Sequence, residues 1–237
     1  MRISAIRSTS ASRRPWAAPL VLTLLGLPAG SGQAQTVDAG AFLILRDGAA
    51  VGREEFTVRR GQPAGTGFTI TTTARYPAAR PVITLTVALE LGPDSLPAAL
   101  QLDLAGPDAR RVYAVIGPRR VTVRNVRPRG EAAREYPGAT RSLVVDDSVF
   151  ALQALLPRAG GGGFTILAPR HDRRETGEAT WSGTDRTLVG GVVHTLERVT
   201  LPFGNGVRHL WYDGTGRLMK VEDLGTGLTA ERQEGPL

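Results

Sequence analysis

The chain has 237 residues and a formal net charge of +7, and it contains no cysteine. That composition leaves no disulfides, no thiolate metal ligands and no cysteine for a lipid anchor. Only Lys220 among the 29 basic residues is lysine, and aromatic residues make up 5%, so a core must come mainly from Val, Leu, Ile and Ala.

Residues 1–34 read as a Sec-type signal peptide. Arg2, Arg7, Arg13 and Arg14 give a basic start, "AAPLVLTLLGL" (17–27) an apolar run, and Gly32 and Ala34 the small residues of a cleavage site after Ala34. The arginine pair in "SRRPW" lacks the remainder of a twin-arginine signal. The apolar run is shorter than the roughly 20 residues a bilayer-spanning helix needs, so no transmembrane segment is expected in the mature chain. Removing the leader's four arginines lowers the charge from +7 to +3. The expected location is periplasmic or secreted, with residues 35–237 forming one β-rich domain.

Strand signals dominate that domain. "AFLILRDGAAVGREEFTVRR" (41–60) predicts two strands joined at Asp47-Gly48, a dipeptide that takes the positive φ of a hairpin turn. "TGFTITTTARY" places Phe68, Ile70, Ala74 and Tyr76 on one face, with Thr72 interrupting them. "PVITLTVALEL" aligns Ile83, Leu85, Val87, Leu89 and Leu91, and "LPAALQLDL" aligns Leu96, Ala98, Leu100, Leu102 and Leu104. Period-two alternation with one apolar face marks an antiparallel sheet wetted on one side. Gly117-Pro118 then separates "RRVYAVI" from "RRVTVRNV". The basic run Arg119, Arg120, Arg124, Arg127 and Arg129 reads as a solvated strand face. A nucleic-acid groove would interleave stacking aromatics, and none lies between Tyr113 and Tyr136, so no nucleic-acid partner is expected.

"SVFALQALLP" (148–157) breaks the strand pattern and predicts a short helix in which Gln153 is the one polar position between Val149 and Leu156. Asp146 and Asp147 stand at its start, where a carboxylate accepts from unpartnered backbone N–H groups and complements the helix dipole. Gly160 to Gly163 follow the helix, whereas a phosphate-cradling loop precedes one, so the tract reads as a flexible connector. Strands resume with "GFTILAP", "ETGEATWSG", "HTLERVTLPFGNGVRHLWYD" and "GRLMKVEDL", with turns at "FGNG" and "DGTG". The total is ten to twelve strands, an all-β chain with one short helix.

Candidate chemistry is sparse. If "FGNG" closes a hairpin at Gly204, His209 pairs with Val199 and His194 lies on the opposite face, which gives no close metal-ligand spacing. His171 is the remaining histidine. No G-x-S-x-G occurs, and Asp213 in "DGTG" is a turn residue rather than half of an aspartic-protease pair. Asp146 and Asp147 are expected to cap the helix, with a hydrolase using them as the remote alternative. No catalytic residue, metal or cofactor is expected, and the chain reads as non-enzymatic. Val149, Phe150, Gln153, Leu156, Trp181 and Trp211 are the candidate ligand-binding residues, lining an apolar pocket between sheet and helix.

Three segments, "DGAAVGREEFTVRR", "VVDDSVFALQALLP" and "LWYDGTGRLMKVE", together resemble a broad group of exported bacterial proteins, and that group is similar to LolA/LolB-type lipoprotein carriers. The resemblance implies a strongly curved antiparallel sheet, a half-barrel of about eleven strands, with a helix on the concave side. It points to binding or carriage of a hydrophobic small molecule, lipid or acyl chain. A structural or interaction module with a protein partner in the cell envelope is the alternative.

Overall fold

The computed structural model describes residues 35–61 and 66–233, and the expected signal sequence lies outside the described residues. Fifteen strands form one sheet. The first eight are β1 (Thr36–Arg46), β2 (Ala49–Arg60), β3 (Phe68–Tyr76), β4 (Ile83–Leu91), β5 (Pro97–Ala105), β6 (Arg110–Ile116), β7 (Arg120–Arg127) and β8 (Gly130–Pro137). After them come β9 (Ser142–Val144), β10 (Gly162–Ala168), β11 (Arg173–Val189), β12 (Val192–Phe203), β13 (Gly206–Tyr212), β14 (Leu218–Asp223) and β15 (Leu228–Gln233).

The spatial order runs from β8 back to β1, then from β15 down to β9, so β1 and β15 meet in the middle while β8 and β9 are the two edges. All neighbours are antiparallel except β9 and β10. Laid flat, fifteen strands would separate the edges by about 67 Å at the usual inter-strand spacing. Residues 138–141 join those edges directly, and such a link reaches at most about 18 Å. The sheet therefore has to curl until its edges nearly meet. They do not pair. The seam is tied instead by side chains: Tyr136 of β8 donates to Asp172, and Arg134 pairs with Asp172 at 2.6 Å.

The inward faces of both arms share one hydrophobic core, from Phe42, Ile70 and Leu89 on one side to Val199, Leu210 and Val221 on the other. Residues 149–156 belong to the same core, so the sheet is curled around them. The expected eleven strands are thus corrected to fifteen. Three of the fifteen, β8, β9 and β15, lie in segments that carried no strand signal, each for a separate reason. Strand β8 is exposed along nearly all its length and shows no apolar alternation, β9 has three residues and all are buried, and β15 has only Leu228 and Ala230 as apolar inward positions.

The expected helix over 148–156 is shorter than the sequence suggested. Ala151–Gln153 form a single 3₁₀ turn and Leu156–Ala159 a four-residue helix, α1, with Pro157 in its first turn. The glycine tract is partly strand: Gly162 and Gly163 open β10 and pair with Ala179 and Glu178. A Cβ on Gly161 would sit 3.1 Å from the Trp181 ring, so that glycine admits a close approach.

A second, smaller cluster lies outside the main core. Strand β11 bulges between Trp181 and Thr184, and its hairpin with β12 carries Val189 and Leu196 to Trp211 and Met219. Lys220 lies 5.6 Å from the Trp211 ring, and the Gly190 N–H donates to Glu231 at 3.0 Å, which fastens the hairpin tip. Replacing Trp211 by Ala removes most of this cluster's buried surface. The expected loss is about 3 kcal/mol, the lower end for a buried aromatic truncated to Ala. A shift in the urea midpoint at unchanged slope would check it.

Candidate functional site

Residues 144–156 carry backbone polar groups into an apolar interior, where each must find a partner. The sheet supplies the partners from inward positions that interrupt its apolar faces. On β2 the inward residues are Gly52, Glu54, Phe56 and Val58, and Glu54 is fully buried. Its carboxylate accepts the Phe150 N–H at 2.8 Å, the Ala151 N–H at 3.0 Å and the Thr72 hydroxyl at 2.7 Å. The 3₁₀ turn is therefore received by a carboxylate from a distant strand.

Asp146 and Asp147, expected as its cap, do other work. One oxygen of Asp146 accepts the Ser148 N–H at 2.9 Å, and both oxygens take a forked contact from Arg170, at 2.7 and 2.8 Å. Asp147 also pairs with Arg170 and lies 3.1 Å from His171 Nε2. The first turn of the 3₁₀ segment has no acidic residue and no side-chain cap.

Three further side chains hold the segment. Tyr76 donates to the Ser148 carbonyl at 2.6 Å, and Tyr212 donates to the Gln153 carbonyl at 2.9 Å. A Cβ on Gly52 would fall 2.6 Å from the Tyr76 ring, so the glycine opposite makes room for that tyrosine. Arg208, wholly buried, donates to Asp223 at 2.5 Å, to the Gln153 side-chain oxygen at 3.2 Å and to the Asp146 carbonyl at 2.9 Å. Its guanidinium also lies 4.9 Å from the Phe203 ring and 5.4 Å from that of Phe150. The Gln153 amide nitrogen reaches the Val144 carbonyl at 2.9 Å.

The six candidate ligand-binding residues are not brought to one cavity. Val149, Phe150, Gln153 and Leu156 are buried in packed core, Trp181 is half-buried against that core, and Trp211 lies in the separate cluster with Val189. The histidines stand apart too: His209 faces Thr200, one residue off the expected Val199, and His194 faces Thr187. The offset arises because the turn closes between Phe203 and Gly206. Asp213 behaves as a turn residue. It accepts from Thr215 and Arg217, and these bonds outweigh a burial effect that would raise its carboxyl, holding it at about 2.

Asp146, Asp147 and His171 place one ligand atom each within 4.8 Å of one another, a grouping with the composition of a cation site. The Arg170 guanidinium already engages both carboxylates. Burial alone would raise the Asp147 carboxyl, but the His171 hydrogen bond and the Arg170 charge together hold it far below the ordinary range.

A cavity of about 610 Å³ opens at the end of the sheet where the β1–β2, β3–β4 and β5–β6 connections lie. Apolar residues, Val51, Val82, Ile83, Leu85, Leu104 and Leu228 among them, give it most of its lining, and Tyr76, Ser148, Arg46, Asp108, Arg110 and Arg170 are its polar and charged groups. Of the segment 148–156 it touches Ser148 alone. The pocket expected beneath that segment is thus displaced to one end of it, because the packed core fills the middle.

These features define a class: an all-β, barrel-like open sheet curled around a short helical segment. A solved structure, the β-barrel-like protein of domain of unknown function DUF1849 from Brucella abortus, shares this fold with a TM-score of 0.52 and 11% identity, covering 82% of this chain and 94% of that chain. No family model and no curated protein matches the sequence.

Glu54 gives the fold a pH dependence. Burial pushes its carboxyl up to about 7 from 4.5, against the opposing hydrogen bonds from Phe150, Thr72 and Ala151. Between those values the folded chain retains a proton the unfolded chain has released, so stability is greatest at the acid end and falls as pH rises toward 7. The decline is expected to be about 3 kcal/mol at most, from the size of the shift. The Asp147 contribution has the opposite sign, being lost only as pH falls below the ordinary carboxylate range. Chemical denaturation at a series of pH values would show the slope, and Glu54→Gln should flatten it. Separately, Arg208→Ala leaves Asp223 buried without its cation and should cost about 3–5 kcal/mol, measurable as a fall in the denaturation midpoint.

Proposed function

We propose that this is an exported, periplasmic protein without enzymatic activity that binds or carries a hydrophobic ligand, a lipid or an acyl chain. The observation that carries this reading is the apolar cavity at one end of the curled sheet. Its volume of about 610 Å³ lies within the range of small-molecule sites. Apolar residues make up most of its lining, with a smaller number of polar and charged groups among them, the usual partition of a binding pocket. The sequence likeness to LolA/LolB-type carriers supports the same ligand class, and the basic and apolar leader supports export. Commitment of both Asp146 and Asp147 to Arg170 weighs against a hydrolase built on them.

A second reading, an interaction module of the cell envelope, is favoured by the β11–β12 hairpin tip. Leu188, Val192 and Val193 are 52%, 58% and 54% exposed there, an apolar patch suited to a protein partner.

Native mass spectrometry of the purified protein should show bound acyl species, and a fluorescent fatty acid should be taken up. Ile83→Asp, at a half-exposed position of the cavity lining, is expected to abolish uptake while the protein stays folded. A clean apo mass together with no uptake would overturn the carrier reading in favour of the module.

A further inference from the structure

A second cavity, of about 600 Å³, adjoins the first and shares Arg110 and Arg170 with it. Its other walls come from the β7–β8 hairpin and from the turn that follows β10. Arg127, Arg129, Arg134 and His171 line it, against the two acids Glu131 and Asp172. Those acids are already engaged: Glu131 pairs with Arg124 at 2.5 Å and Asp172 with Arg134 at 2.6 Å. Arg170 is likewise committed to Asp146 and Asp147. Arg110 donates only to the Asp108 and Arg170 carbonyls, at 3.4 and 3.3 Å. Among the described residues, then, Arg110, Arg127 and Arg129 face this space without a carboxylate partner.

We infer that the ligand is an anionic amphiphile, its chain lying in the apolar cavity and a phosphate head group in the arginine-lined one. The inference rests on the carrier reading above and adds the head group. Two adjoining spaces, one lined mainly by aliphatic residues and the other by several arginines, meet at shared residues and fit a molecule with the same division. Guanidinium groups present paired N–H donors that match phosphate oxygens, and three of them without counter-charges suit a head carrying more than one negative charge. Arg127 and Arg129 are exposed at the hairpin, so replacing them leaves the core intact.

Calorimetric titration with dodecyl phosphate, dodecyl maltoside and inorganic phosphate, each below any micelle concentration, tests this. Dodecyl phosphate should bind more tightly than either of the others. The double variant Arg127→Gln/Arg129→Gln should weaken dodecyl phosphate by about tenfold or more and change dodecyl maltoside by less than about twofold. Equal binding of both dodecyl compounds, unaffected by the double variant, would overturn the phosphate head while leaving the carrier reading in place. Inorganic phosphate binding as tightly as dodecyl phosphate would make the arginine cavity a free-anion site and also overturn it. Failure of both tailed compounds to bind would remove the carrier reading itself.

Discussion

A sheet that curls around a stretch of its own chain has to satisfy that stretch's backbone without water. Residues 144–156 impose this requirement here, and the rest of the architecture answers it. Glu54 takes two backbone N–H groups, Tyr76, Tyr212 and Arg208 give hydrogen bonds to three carbonyls, and Gln153 bonds back to Val144 at the start of the segment. Each partner costs desolvation when buried, so a partly satisfied network would be worse than an apolar core. The partners come from β2, β3 and β13, which lie on both sides of the β1–β15 junction. The segment thereby couples the two arms of the sheet.

That junction is itself bound by a buried ion pair. Arg232 of β15 donates to Asp38 of β1 at 2.6 and 3.0 Å and to the Ala39 carbonyl at 2.8 Å. With the arms joined in the middle and held to a common segment, curvature follows, and the space left over is pushed to the end of the sheet. There the segment enters at Ser148 and Arg170 crosses from the turn after β10. The cavity and its charged neighbour are thus consequences of how the segment is anchored.

How much of this is legible in the chain depends on whether the signal is local. Strands β3 to β5 alternate cleanly, and their inward residues Ile70, Leu85, Val87, Leu89, Leu100 and Leu102 are all core. Strand β8 has no such alternation, since as an edge it packs little on either side, and it leaves no trace in hydrophobic pattern. The polar anchors did leave a trace. Thr72 interrupts an apolar face, Glu54 stands between Gly52 and Phe56, and Arg208 shares a face with Leu210 and Tyr212. A charge on a face otherwise meant for burial indicates a buried partner but does not name it. Likewise "DDSVFALQALLP" pointed to a short buried helix, yet capping by the nearest acids is a local rule, and Glu54 outcompeted it from a strand that tertiary packing brings close.

By itself, the sequence determined the all-β class, most strand faces, the turns and the buried character of residues 149–156. These follow from residue periodicity and local backbone preference, which act over a few residues. Only the tertiary structure decided that fifteen strands form one curled sheet, that Asp146 and Asp147 serve Arg170, and that open space lies at the strand ends. Those outcomes depend on pairings between residues far apart in the chain, as with Glu54 and Phe150 or Arg208 and Asp146, and no local pattern encodes which distant partner a buried charge will meet.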